Sequence, residues 1–470
     1  MKKPIMMAML SLVGICLAGE NGRFVDVSKN DPHYFAELDG RTWIPVGCNI
    51  CFERLAKPTA EAKQLFDGWM TKFAANGGNF MRLWLSQPFL EVMPDRAGEF
   101  STEATENLKW IVRRAEELGI RLKFTFENFR KVAPKIEDCT PEKGIVSFTR
   151  PAYAAYAKNI HEFFTSEACF NFYLAKARHI AEAVGSSPAV ICVELWNEVT
   201  STGVPLPILA KWTDRMIPEL QKIFPRQMVV QNLGSFSEIK SLRDYDWLAS
   251  LKGNAFLQAH RYQDLGAPMD IVRGPIDVLC ADAVRELRDR RNDMPVFLSE
   301  VGAVKSRHTG PSEFYAMDKD GIFLHDEIFA PFFAGSAGCG QPWHWDHQYI
   351  DGMNLWYHFG RFAKAIKGSD PVAEGFRPFH METYRLRVYG LRGRSTFLVW
   401  CRDKKNDWRS EFLEKKAPEF VTNEELPFAA PDGFSVYLPF EDREVKVETG
   451  TCILPAFKRS CVIRFKGSVK

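Results

Sequence analysis

The sequence predicts an α/β protein: a (β/α)8 TIM barrel followed by a C-terminal antiparallel β-domain. Three observations predict it. From about residue 24 to about residue 368, eight short apolar runs alternate with amphipathic helical stretches. Several of those runs are apolar on both faces, as parallel strands covered by helices must be. Beyond about residue 368 the texture changes to short alternating strands with turn residues between them and little helical periodicity. A doubly wound open sheet is the alternative, but it would carry a glycine-rich phosphate turn after an early strand, and none is present.

The elements follow in order. Residues 1–19 begin with Lys2 and Lys3, continue in the apolar run Ile5–Leu17 and end in small residues, the order of a secretory signal peptide. The run is too short for a comfortable membrane span. Ile15 stands where a lipidated Cys16 would need a small neighbour, which disfavours a lipid anchor. The expectation is a secreted or periplasmic protein with no membrane span. The strand-like runs are WIPVGCN (43–49), NFMRLWL (79–85), RLKFTFEN (121–128), AVICVELWNE (189–198), QMVVQNL (227–233), NAFLQAH (254–260), PVFLSEVG (295–302) and SAGCGQPWHW (336–345). Helices lie between them, among them 107–119 with Gly119 as its stop and 172–185 with Gly185 as its stop. The tail, 369–470, contains TYRLRVYGL, STFLVWCRD, GFSVYLPF, EVKVETG and SCVIRFKG, read as strands of a sandwich-like domain.

The chain has 470 residues, 46% hydrophobic and 26% charged, enough to bury a substantial core. Its net charge of +2 falls to zero without Lys2 and Lys3, so it carries no electrostatic footprint for nucleic acid or an anionic membrane. Aromatics make up 13% of the chain, with 12 Trp, which suits flat apolar faces such as sugar rings. Of 11 Cys, ten remain after Cys16, and an even count in an exported protein permits disulfides. Most sit singly in apolar runs, where a free Cys behaves as a small core residue. Cys48 and Cys51 have the spacing of a metal pair, but no second pair accompanies them, so no zinc site is expected. No serine elbow, P-loop or HExxH motif appears, which disfavours esterase, NTPase and metallopeptidase chemistry.

In a barrel of this kind the reactive groups stand at the C-terminal ends of the strands, so polar residues that end apolar runs are the ones to weigh. Glu198 ends the fourth run and Glu300 the seventh. Across a barrel mouth these two carboxyl groups would face each other, the arrangement that glycoside hydrolysis uses: one acid protonates the leaving oxygen, and the other carboxylate attacks the anomeric carbon.

WNE at 196–198 resembles the strand-four signature of the large clan of retaining (β/α)8 glycoside hydrolases, and SEVG at 299–302 resembles its strand-seven nucleophile motif. RLW at 82–84, AHRY at 259–262 and ELDGRTWIPVGCNI at 37–50 are similar to strand-two, strand-six and opening segments of the cellulase/β-mannanase family, glycoside hydrolase family 5. The resemblance spans the barrel in the right order. It implies Glu198 as general acid/base and Glu300 as nucleophile, with no cofactor and no metal. It implies that Asn197 donates to the sugar 2-hydroxyl, that Arg82 and Tyr262 sit beside Glu300, and that His260 lies near Glu198. Trp343 or Trp345 would floor the subsite of the reacting sugar. At the end of strand three, Glu127 and Asn128 stand where related mannanases have an Asn pair, and Asn128 is taken as a lining residue. Trp84 reads as barrel packing, and His344, Asp346 and His347 as a polar loop above strand eight.

The function this implies is a secreted retaining hydrolase of β-linked glycans, of the β-mannan or β-glucan type, acting on an oligo- or polysaccharide. The alternatives are an exo-acting glycosidase or transglycosylase on the same barrel, its cleft closed at one end by the long segments 86–106, 129–170 or 303–330, and a non-catalytic glycan-binding protein. The tail reads as structural first and glycan-binding second.

Overall fold

The computed structural model describes residues 23–53, 57–136, 148–430, 433–448 and 450–466. The leader expected over 1–19, with Cys16, lies outside the described residues, as do 137–147 of the long segment after strand three.

The chain enters through a small antiparallel sheet, β1 (Val25–Val27), β2 (Phe35–Glu37) and β3 (Thr42–Trp43). The β2–β3 hairpin leads directly into the barrel. Five strands then pair in parallel and in sequence order: β4 (Gly47–Cys48), β5 (Phe80–Trp84), β6 (Arg121–Glu127), β7 (Val190–Trp196) and β8 (Met228–Val230). β9 (Leu257–Asp264) and β10 (Val296–Val304) form a second parallel pair. Hydrogen bonds bridge the two groups, from Ala255 N to Val229 O at 3.0 Å and from Phe236 N to His260 O at 2.7 Å.

The eighth unit departs from expectation. Residues 336–345 form no regular strand, yet the segment closes the barrel. Val301 N donates to Gln341 O and Trp343 N to Val301 O on one side, while Asn49 N donates to Pro342 O and Cys339 N to Pro45 O on the other. The sequence explains the irregularity. Pro342 has no N–H to give a ladder. Gly340 runs so close to the preceding helix that a Cβ there would meet Glu327 O at 2.2 Å.

The helices cover the barrel: α1 (Thr59–Ala75), α2 (Thr102–Leu118), α3 (Ile160–Thr165), α4 (Glu167–Val184), α5 (Leu206–Ile223), α6 (Ser241–Ser250), α7 (Ile276–Arg290), α8 (Ile322–Phe333) and α9 (Tyr357–Ile366), with a last turn α10 (Pro371–Glu374). α2 shows the local logic. Ser101 Oγ accepts from Ala104 N at its start, and Gly119 ends it at φ 70°, a left-handed turn that glycine adopts without strain. Gly185 stops α4 without that turn, at φ −67°.

The tail forms a six-stranded antiparallel sheet in the order β11 (Arg377–Glu382), β12 (Leu386–Arg392), β13 (Thr396–Asp403), β18 (Ser460–Lys466), β15 (Phe434–Leu438), β16 (Arg443–Val447), and a two-stranded sheet of β14 (Glu425–Ala430) and β17 (Gly450–Ile453). Alternation along the strands gives the larger sheet two apolar faces. Val388, Val399, Cys401 and Ile463 enter a core shared with the smaller sheet. Tyr389, Leu398, Trp400 and Val462 join the barrel's own core. Buried ion pairs cross the same boundary, Arg402 to Asp326 on α8 at 2.7 Å and Arg387 to Asp277 on α7 at 2.5 Å.

All nine described cysteines are free and buried. Among the described residues, no helix is long and apolar enough to cross a membrane.

Candidate active site

A cleft of about 1010 Å3 opens at the C-terminal ends of the barrel strands, lined among others by Trp84, Asn197, Glu198, Tyr262, Glu300 and Trp343. Parallel register puts the strand-end residues on one rim. β10 pairs Glu300 with His260 and Gly302 with Tyr262, after an irregularity at Ser299. His260 and Tyr262, two apart on β9, therefore share the inner side, whereas Arg261 between them points outward to Asp282 on α7 at 2.6 Å.

Glu300 is nearly sealed and held from three sides. Arg82 Nη1 donates to Oε1, Tyr262 Oη donates to Oε2 at 2.5 Å, and His260 Nδ1 lies 3.2 Å from Oε2. Glu198 follows β7 in a left-handed conformation, φ 52° and ψ 56°, which a residue with a Cβ seldom adopts. That turn swings its side chain over the mouth. Oε1 lies 2.9 Å from His260 Nδ1, while Ser201 Oγ donates to Oε2 at 3.3 Å and Arg130 Nη2 approaches it at 3.5 Å. One carboxylate oxygen of each glutamate and a ring nitrogen of His260 all lie within 4.8 Å of one another. Burial raises the Glu198 carboxyl. The hydrogen bond from His260, with Arg130 close by, outweighs it and brings the value down to about 2.

Below the rim a second polar layer sets these groups. Arg82 on β5 is fully buried and reaches Thr125 on β6, Glu194 on β7 and Asn197. Lys123 Nζ bonds Glu194 Oε2 at 3.0 Å and Gln258 Oε1 at 2.6 Å. Asn49 Nδ2 ties β4 to Ser299 O and Gln341 O, and its Oδ1 accepts from Arg82.

Asn197, Glu198, Tyr262, Glu300 and Trp343 line the cleft, and Arg82 and His260 are buried behind it in contact with the two carboxylates. Two expected residues stand elsewhere. Asn128 is buried and is not among the residues lining the cleft. Its Oδ1 accepts from Ser86 Oγ at 2.7 Å, and its neighbour Glu127 turns the strand end toward Lys176 and Arg150. Trp345 is fully buried beneath the floor. A tight turn, Trp345 N to Trp343 O at 3.0 Å, sets its ring 85° from that of Trp343 and packs it on Trp69 and Phe52. Trp84, read from sequence as packing alone, is 2% exposed and also lines the cleft, 5.1 Å from the Trp343 ring. His344 lines it too, with Nδ1 3.1 Å from Tyr315 Oη.

Sequence reasoning passed over Asn49, Arg130, Glu194, Asn232 and His308. Asn232 is a polar residue one short of the end of the run QMVVQNL, as Glu198 is the polar end of its own, so the rule that found one could have found the other. Arg130 lies on a loop and His308 ends a single 3-10 turn, and neither carries a periodic signal.

No protein-family model and no curated protein matches the chain. Among solved structures, it is similar to a glycoside hydrolase family 5 protein from Bacteroides vulgatus ATCC 8482, at 11% identity over 95% of this chain and 94% of that one, with a TM-score of 0.61. It is also similar to a structure described as a glycoside hydrolase, at 11% identity over 96% of this chain and 98% of that one, with a TM-score of 0.59. The fold is thus that of glycoside hydrolase family 5 structures, a TIM barrel with a C-terminal antiparallel β-domain.

Proposed function

We propose that the protein is a retaining glycoside hydrolase that cleaves β-linked glycans by double displacement, with Glu300 as nucleophile and Glu198 as general acid/base. The observation that carries this reading is the approach of the two carboxylates within 4.8 Å over an open cleft. Retaining enzymes place their carboxyl groups about 5–5.5 Å apart, whereas inverting enzymes need about 6.5–9.5 Å to admit a water.

In the first step a Glu300 oxygen forms a bond to the anomeric carbon as the bond to the leaving oxygen breaks, and Glu198 gives that oxygen its proton. In the second step Glu198 takes a proton from water, the water oxygen bonds the anomeric carbon, and Glu300 leaves. Arg82 and Tyr262 hold Glu300 in line for both displacements. Asn197, with Oδ1 committed to Arg82, keeps Nδ2 for the sugar 2-hydroxyl. Trp343 supplies an apolar face for the ring of the reacting sugar. A β-mannan or β-glucan is the first substrate to try, and the leader-like residues 1–19 support export. The β-domain acts structurally in this reading, because one face of its larger sheet is committed to the barrel core.

The test uses aryl β-mannoside, β-glucoside and β-galactoside and the corresponding polysaccharides. Glu300→Gly is expected to abolish turnover on whichever is cleaved. Azide is expected to restore turnover in Glu198→Ala on a substrate with a good leaving group, giving the β-glycosyl azide. Wild-type hydrolysis by both variants would defeat the mechanism. Binding of these glycans with no turnover would favour a non-catalytic lectin-like role.

A further inference from the structure

Asn232 lies two residues beyond β8, between the backbone of Glu198 and the ring of His260. The Glu198 N–H stands 2.9 Å from Asn232 Oδ1. A backbone N–H can only donate, so the amide oxygen must face it. The amide nitrogen therefore faces the ring, 2.8 Å from His260 Nε2, and it has only hydrogens to offer. Nε2 must then present its lone pair, which leaves the single proton of the ring on Nδ1. That nitrogen is the one 2.9 Å from Glu198 Oε1 and 3.2 Å from Glu300 Oε2.

We propose that Asn232 is a positioning residue of the catalytic site, holding His260 as the neutral Nδ1–H tautomer so that one ring proton is shared between the acid/base and the nucleophile. The inference rests on the roles of Glu198 and Glu300 given above. It also meets a requirement of the first step. Glu198 must hold a proton to give to the leaving oxygen, whereas a positively charged His260 would keep it an anion. A second ring proton would sit on Nε2 and need an acceptor. Asn232 presents N–H there instead, so the charge is kept off the ring. With no charge on the ring, Arg130 and His308 still pull the Glu198 carboxyl down, and its burial opposes them by favouring the protonated acid.

Around the ring, Glu198 and Glu300 face Nδ1 and Asn232 faces Nε2. Other titratable groups near it are Tyr262, whose Oη bonds Glu300 Oε2, Glu194 in the layer below, and Tyr245, whose Oη accepts from the His260 backbone N–H at 3.4 Å. The same Asn232 oxygen also anchors the left-handed backbone at Glu198, so a single amide sets both the acid's backbone and the tautomer beside it.

The experiment is nitrogen-15 NMR of the full chain with labelled histidine, the His260 signals being assigned by their loss in His260→Gln. The expected result at neutral pH is an unprotonated Nε2 and a protonated Nδ1. Asn232→Asp replaces the donor with an acceptor of the same shape, and is expected to give both nitrogens protonated. It should also lower kcat roughly tenfold or more, the scale of a displaced acid/base proton, with KM changed far less. A protonated Nε2 in the wild type would overturn the inference, whatever the variant does. So would Asn232→Asp with wild-type kcat and an unaltered nitrogen pattern. The expected tautomer in a protein that cleaves no glycan would instead sink the functional reading and leave the proton assignment standing.

Discussion

Arg82 and Glu194 meet in the middle of the barrel, Nη2 2.5 Å from Oε1, with both side chains fully buried. The guanidinium that steadies Glu300 is thus itself neutralised from below, and the cleft rim stands on a buried charged layer.

Glu194→Gln would leave Arg82 and Lys123 facing a neutral amide in a water-free interior. Removing one partner of a buried pair typically costs about 3–5 kcal/mol. A clear drop in the thermal unfolding midpoint is expected, together with reduced turnover as Arg82 shifts away from Glu300. An unchanged midpoint would show that the interior layer contributes little.

The pH dependence of stability has a definite sign at this group. Burial raises the Glu194 carboxyl, but Arg82 and Lys123 outweigh it and lower it from 4.5 to about 2. A carboxylate whose folded value lies below its unfolded value stabilises fully above the unfolded one. Its contribution should therefore be complete above about pH 4.5 and vanish as the pH falls toward 2. Unfolding midpoints between those limits should fall less steeply in Glu194→Gln than in the wild type. Parallel curves would contradict this.

Arg402→Met should strand Asp326, because the two are buried together at 2.7 Å. The expected loss is again about 3–5 kcal/mol, and adding Asp326→Leu should recover much of it by replacing charge with apolar packing. Denaturant unfolding of the two single variants and the double variant measures the coupling, and strict additivity would argue against it.

Tyr262→Phe removes the hydroxyl that donates to Glu300 Oε2 at 2.5 Å. A hydrogen bond to a charged group is worth about 1.5–3 kcal/mol, so kcat/KM should fall roughly tenfold to a hundredfold with the fold intact. A wild-type rate would mean that Arg82 and His260 suffice to position Glu300.

The barrel and most of its rim were legible because a polar residue ending an apolar strand has few places to go in this fold. Glu198 and Glu300 follow that rule, Arg82, His260 and Tyr262 are legible only through the resemblance of RLW and AHRY, and the structure gathers all five around the carboxylate pair. Asn128 obeys the rule and still misses the cleft, since its neighbour Glu127 is drawn toward Lys176, which is distant in sequence. Trp343 and Trp345 share one strand-like parity. A local turn, invisible to periodicity, decides that the first lines the cleft and the second lies under it. Strands β11, β14 and β17 were not singled out. β11 buries none of its residues fully and β14 carries Pro427, so neither shows clean alternation.

The double-faced sheet at the C-terminal end has a consequence for the gene. A fragment stopped near residue 368 would encode a barrel lacking Trp400, which packs on Phe329 and Phe333 of α8, and Trp408, which packs on Phe323 of α8 and on Phe314. Such a product would display an aromatic wound rather than a finished surface, and so precipitate or be degraded. Shuffling this tail between barrels would succeed only where the recipient brings matching aromatic rings and acidic side chains, so the two parts are bound to evolve as a single inheritance.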